Sequence, residues 1–199
     1  MSYAASHGHE NKLALALRKQ EMVMFNEMMQ NLSAFLAENS LTDLLSLSYY
    51  SFPVVEVIHV VTYGTFFGGM MMLDFRLLGI GRFISSQQTM RYILNIALYA
   101  YALAVFSGIV FFFVTPWEYP VNPIFQYKMM LILLAGLNAL WMHKYLLADI
   151  DQWDMNVKPP IKVRVSAFFS ICFWVGVVAC GRLIAYSSSY GLNYPGLNF

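Results

Sequence analysis

The chain has 199 residues, 59% of them hydrophobic and only 12% charged, with a net charge of +1 and a mean hydropathy of +0.55. A soluble domain carries about twice that charged fraction, so the composition points to an integral membrane protein of one domain. Charge near zero gives no basic excess for nucleic acid and no acidic tail, and aromatics at 17% suit interfacial belts and packed membrane helices.

The start of the chain, through Lys12, lacks a basic region followed by an apolar run. It does not read as a cleavable signal, so the first membrane helix is expected to direct insertion. His7 and His9 form a His-x-His pair in this polar stretch; imidazoles bind copper or zinc, but two alone fit a solvated tail better. Over residues 11–38 the apolar positions Leu17, Met24, Phe25, Met28, Leu32, Phe35 and Leu36 recur at helical spacing, with Lys19, Glu27 and Gln30 between them. This predicts an amphipathic helix. It could lie on a membrane, dock a partner subunit, or cover its own bundle. Asn39-Ser40 interrupts the pattern, and a short helix is expected from Leu41.

Four later segments reach the length of about 20 apolar residues that a bilayer requires, near 52–73, 92–115, 125–147 and 163–187. Pro116 and Pro120 close the second, with Trp117 and Tyr119 at the interface, and Pro159-Pro160 precedes the fourth. Short links between four such helices predict an all-α, up-down four-helix membrane bundle. The organisation expected is a polar tail and amphipathic helix over 1–48, a bundle over 49–187 and an extended tail over 188–199.

Basic residues divide unevenly. Arg76, Arg82, Arg91, Lys144, Lys158, Lys162 and Arg164 fall on one side; Lys12, Arg18, Lys19, Lys128 and Arg182 fall on the other. The positive-inside rule makes the first side cytoplasmic and puts both termini in the periplasm of a bacterial inner membrane.

Glu56 and His59 lie three residues apart inside the first apolar segment. An ionisable group at membrane depth is costly unless it meets a partner, a cofactor or water, and positions i and i+3 share a helix face. With Lys128 and Arg182 at the same end of the bundle, the expected cluster is Glu56, His59, Lys128 and Arg182, with Glu56–Arg182 the first pair to look for. Snorkelling to the headgroups is the favoured alternative for Lys128 and an even one for Arg182. His143 lies at the opposite end, beside Lys144, and Asp74 with Arg76 there suits a structural pair at a helix end. His59 and His143 differ by about 12 Å or more in depth, too far to share one haem. Either could bind a haem with another ligand; Met70, Met71 and Met72 lie near the depth of His143, although methionine is more often core.

Gly64-Thr-Phe-Phe-Gly68 is a small-xxx-small motif, expected to pack inside the bundle and leaving room for a flat cofactor near His59. Cys172 and Cys180, about 12 Å apart on one helix, are beyond disulfide reach. No nucleotide loop, HExxH, CxxC or nucleophile elbow is present, so no catalytic motif supports an enzyme.

The run Ser51-Phe-Pro-Val-Val-Glu56-Val-Ile-His59, then Gly64, then Leu73-Asp74-Phe-Arg76-Leu-Leu-Gly79, resembles a family of bacterial four-helix integral membrane proteins without an assigned activity. Pro123-Ile-Phe-Gln-Tyr-Lys128 and Gly136-Leu-Asn138 with His143 fit the same pattern, so the resemblance covers roughly 45–185. In layout that family is distantly similar to b-type cytochromes and to copper-resistance membrane proteins. By analogy the resemblance implies haem b or copper as a cofactor and assigns no ligand.

Two functions are therefore expected. One is a haem-b-binding, electron-transferring subunit, with His59 as ligand and Glu56, Arg182 or His143 contributing to cofactor sites. The other is a cofactor-free accessory subunit that assembles with itself or with a larger complex.

Overall fold

The computed structural model describes residues 2–46, 49–81, 83, 85–115, 119–120, 122–146, 150, 153 and 157–189. Among them the chain is helical and forms no strand: α1 Ser2–Ala37, α2 Ser40–Ser46, α3 Ser51–Leu78, α4 Ser86–Val114, α5 Pro123–Trp141 and α6 Ile161–Ser189, with α5 prolonged by a π-helical turn over Met142–Leu146. Four stretches, Ser51–Leu78, Ser86–Val114, Pro123–Tyr145 and Ile161–Tyr186, are long and apolar enough to cross a membrane. They overlap the four expected spans, with ends shifted by one to six residues. Of the expected C-terminal tail, residues 188 and 189 belong to α6 and the rest lies outside the described residues, as does Trp117.

The helix ends follow from local chemistry. Ser85, in extended backbone, accepts the Gln88 N–H at 3.1 Å and caps α4. Asn122 accepts the Ile124 N–H at 2.9 Å and Pro123 takes the first helical position of α5. Gly79, at φ 100°, ends α3: its N–H bonds the Arg76 carbonyl and the Ile80 N–H bonds that of Phe75, both at 3.0 Å. The left-handed backbone needed there is open to glycine without a Cβ penalty.

Helices α3 and α4 form one antiparallel hairpin and α5 and α6 another, and α3 packs against α6 to join them. The centre is a cluster of Phe66, Met70 and Leu73 from α3, Ala97 and Ala100 from α4, Ala135 from α5, and Trp174 and Val177 from α6. Phe66 meets Trp174 edge-on with ring centroids 4.5 Å apart, and Tyr101 closes the trio at 4.9 Å from Phe66. Small residues let α3 and α4 approach closely. A Cβ on Gly69 would stand 3.2 Å from Ile93 and 3.3 Å from Ala97, whereas one on Gly64 or Gly68 would meet nothing. The Gly64/Gly68 motif thus does not pack inside the bundle as expected; Gly69 takes that role, because it lies on the inward side of the helix.

Asn138 and Ser166 tie α5 to α6 by reciprocal bonds: the Asn138 amide donates to the Ser166 carbonyl at 3.1 Å, and the Ser166 hydroxyl donates to Asn138 Oδ1 at 2.8 Å. Most large side chains facing outward on the four spans are apolar, Val57, Val61, Leu98, Leu103, Leu133 and Phe168 among them. That is the surface a hydrocarbon solvent requires and water would not favour.

Helix α1 differs from the sequence-based expectation in extent and in what it covers. It begins at Ser2 rather than near residue 11, so the expected polar tail is helical; the side chains of His7 and His9 lie outside the described part. Among its described side chains the buried ones are Ser33 and Leu36, near its end, where Thr42 of α2 donates to the Leu36 carbonyl at 2.6 Å. Leu17, Met24, Met28, Leu32 and Phe35 are 40–68% exposed. The helix does not cover its own bundle.

Candidate functional site

His59 is half-buried on α3 and turns toward α4. Its Nδ1 lies 2.9 Å from the Ser107 hydroxyl, and that hydroxyl donates to the Ala104 carbonyl at 3.0 Å. The Ser107 hydroxyl has one proton to give: when it goes to the Ala104 carbonyl the imidazole donates from Nδ1, and when it goes to Nδ1 the ring accepts there. In the first arrangement Nε2 keeps its lone pair, as in an imidazole that ligates a metal. The ring lies against Gly108, where a Cβ would stand in ordinary contact, 3.5 Å from His59 Cε1. Phe111 meets the ring edge-on at 5.5 Å and Tyr63 stacks along α3 at 6.3 Å.

The four-residue cluster expected at this end forms only in part. Lys128, half-buried on α5, lies within electrostatic reach of His59, with its Nζ 3.6 Å from where a Cβ of Gly181 on α6 would be. The ammonium lies against Gly181, between two helices, so Lys128 is held in the bundle rather than simply reaching for the headgroups. Glu56 is exposed and does not pair with Arg182. Arg182 instead donates to the Tyr186 hydroxyl at 3.0 Å and lies over the Tyr186 ring at 4.7 Å. The reason is angular. Three residues turn a helix by about 300°, so Glu56 sits about 60° around α3 from His59. At the edge of the packed face that offset separates a side chain facing α4 from one facing outward.

At the other end, His143 is exposed on the π-helical turn beside Arg91 and Asn95 of α4. His59 contacts α4 at Ser107, sixteen residues beyond Arg91, or about 24 Å along the helix. The two histidines therefore stand at opposite ends and cannot share one planar cofactor, as the sequence indicated. Met70 belongs to the central core and Met72 faces outward. Among the described residues no three His, Cys, Asp or Glu side chains come together, and Cys172 and Cys180 are free thiols.

Asp74 is the polar residue that sequence reading placed least well. It was expected to pair with Arg76 at the helix end. It is instead fully buried, at 0% exposure, and neither of its carboxyl oxygens is hydrogen-bonded to Arg76. Two positions apart on a helix, the side chains diverge by about 200°. The Ser170 hydroxyl of α6 lies beside the carboxyl, yet neither carboxyl oxygen makes a hydrogen bond of good geometry among the described residues. Ser107, Gly108 and Ser170 carried no sequence signal, since each is a small residue in an apolar run whose role depends on the helix opposite.

Comparison of the chain with protein-family models, curated proteins and solved structures finds no match.

Proposed function

We propose that the protein is an accessory subunit of a bacterial inner-membrane assembly, anchored by its four-helix bundle and joined to a partner subunit through α1. The observation that carries this reading is the apolar stripe of α1, Leu17, Met24, Met28, Leu32 and Phe35, every member of it exposed. From Leu17 to Phe35 the stripe runs about 27 Å along the helix, and left in water it would be a sizeable apolar patch. Lys19, Glu21, Glu27 and Gln30, exposed between and beside these positions, favour a helical protein partner over insertion into hydrocarbon. In this reading both termini are periplasmic and the end bearing Asp74 is cytoplasmic, because seven of the twelve Lys and Arg residues flank that end. The kinship with bacterial four-helix membrane proteins, suggested by the Glu56–His59 and Asp74–Arg76 runs, is part of the same proposal.

The experiment is deletion of residues 1–38 with purification from the native membrane. Loss of the native complex, with membrane insertion kept, supports the reading; an unchanged partner set or oligomer size refutes it.

A second reading is favoured by one specific observation, the hydrogen bond at 2.9 Å that holds the His59 ring to Ser107 through Nδ1. In it the protein binds haem b and passes electrons, with His59 as the axial ligand and Ser107 holding the ring. Copper at the same histidine is the variant for a metal ion alone. Glu56 and Arg182, both exposed near that end, would meet the cofactor's edge or the partner that carries it; His143 stands too far away to take part in this site. The test is the reduced-minus-oxidised spectrum of protein purified from its native membrane.

A further inference from the structure

At the Asp74 end, the first turns of α4 and the π-helical turn of α5 leave an open cleft of about 360 Å³. Its walls include Arg91, Asn95 and His143 as polar groups and Met90, Leu94 and Ile150 as apolar ones. Arg91 and Asn95 are one turn apart, and the Asn95 amide donates to the Arg91 carbonyl at 3.2 Å, which leaves its Oδ1 and second N–H for another partner.

Depth gives this arrangement its meaning. The 29 residues of α4 span about 43 Å, whereas the hydrocarbon core is about 30 Å thick, so about 6–7 Å of helix at each end lies among headgroups. Arg91 begins about 7.5 Å from the helix start, at that boundary, and Asn95 lies about 6 Å deeper. His143, two residues before the end of the third span, is at headgroup depth. The same side of α4 carries Leu94 next to Asn95 and, about 4.5 Å deeper than Asn95, Leu98, which is 53% exposed.

From the boundary inward the order is cation and imidazole, then amide, then aliphatic surface. A glycerophospholipid has the same order: phosphate, ester carbonyls, acyl chains. We propose that this cleft binds one anionic glycerophospholipid, its phosphate held by Arg91 and an N–H of His143, an ester carbonyl by the Asn95 amide, and an acyl chain along Leu94 and Leu98. A free phosphate would use only the first layer, and a soluble organic anion would leave the second and third unused. Cationic pockets at the membrane edge recognise anionic headgroups in this way.

The test uses the full-length protein, delipidated in detergent and offered equal amounts of phosphatidylglycerol and phosphatidylcholine, with bound lipid counted by native mass spectrometry. One phosphatidylglycerol should be retained over phosphatidylcholine by about five-fold or more, the scale set by one basic group at a membrane surface. The preference should vanish in R91Q/H143Q, weaken in N95L, and persist in K162Q, which removes an exposed cation at the same end of α6. If the double variant does not fold, R91Q alone carries the comparison. Equal retention of the two lipids by the unaltered protein overturns the proposal, as does an effect of K162Q equal to that of R91Q. Millimolar inorganic phosphate should not displace the lipid; displacement would identify a simple anion site and overturn the lipid assignment.

Discussion

Replacing Ser107 with alanine removes the side chain that is hydrogen-bonded to His59. Ser107 is buried at 3% exposure and spans the α3–α4 contact, sharing a hydrogen bond with His59 Nδ1 at 2.9 Å and donating to Ala104 at 3.0 Å. An interhelical hydrogen bond inside a membrane contributes about 0.6 kcal/mol on average and about 1.7 kcal/mol at most, since partners are also found in the unfolded membrane state. The hydroxyl's bond to Ala104 lies within its own helix and adds little, so Ser107→Ala should lower stability by about 0.6–1.7 kcal/mol. A double-mutant cycle with His59→Phe, read by reversible unfolding in mixed micelles, should return a coupling energy of that size. If His59 also ligates haem iron, loss of the group that orients it should weaken cofactor binding about 10- to 100-fold, the usual effect of removing such a partner. A coupling energy indistinguishable from zero would show that the imidazole is not held by Ser107. Normal stability coupling with unaltered haem content would retain the hydrogen bond and reject the ligand role.

Other outcomes follow from the same geometry. Protein from its native membrane should show b-type bands that His59→Ala abolishes and His143→Ala leaves largely intact; complete absence of haem and metal would refute the cofactor reading and leave the accessory subunit alone. Asp74→Asn should fold with stability equal to or above that of the native chain by thermal unfolding, because a buried carboxyl without good hydrogen bonds is replaced by a neutral group of the same shape; a loss of more than about 2 kcal/mol would show that the carboxyl makes an essential contact. Gly69→Ala should destabilise, since its Cβ would press on Ile93 and Ala97 at 3.2 and 3.3 Å, whereas Gly64→Ala should be neutral. Cysteines placed at Ser6 and Gln87 should label from opposite sides of intact cells, Ser6 from outside; labelling of Gln87 from outside would reverse the orientation.

The four membrane spans were legible in the sequence because the requirement they meet is one-dimensional. A helix that crosses hydrocarbon needs a run of apolar residues of a certain length, whatever packs beside it, and prolines and caps such as Asn122-Pro123 mark the ends locally. Glu56, His59 and Asp74 were visible for the same reason, as polar residues where the solvent forbids them. Their partners were not visible. In lipid the inward and outward faces of a helix are both apolar, so periodicity does not say which way a residue turns. Only the packing of α3 against α4 and α6 placed His59 against Ser107, left Glu56 facing outward and sealed Asp74 beside Ser170. For α1 the balance is reversed: alternating charge made its apolar stripe plain from the sequence, and the tertiary structure decided that the bundle leaves that stripe bare, because among the described side chains of α1 the buried ones are Ser33 and Leu36 near its end.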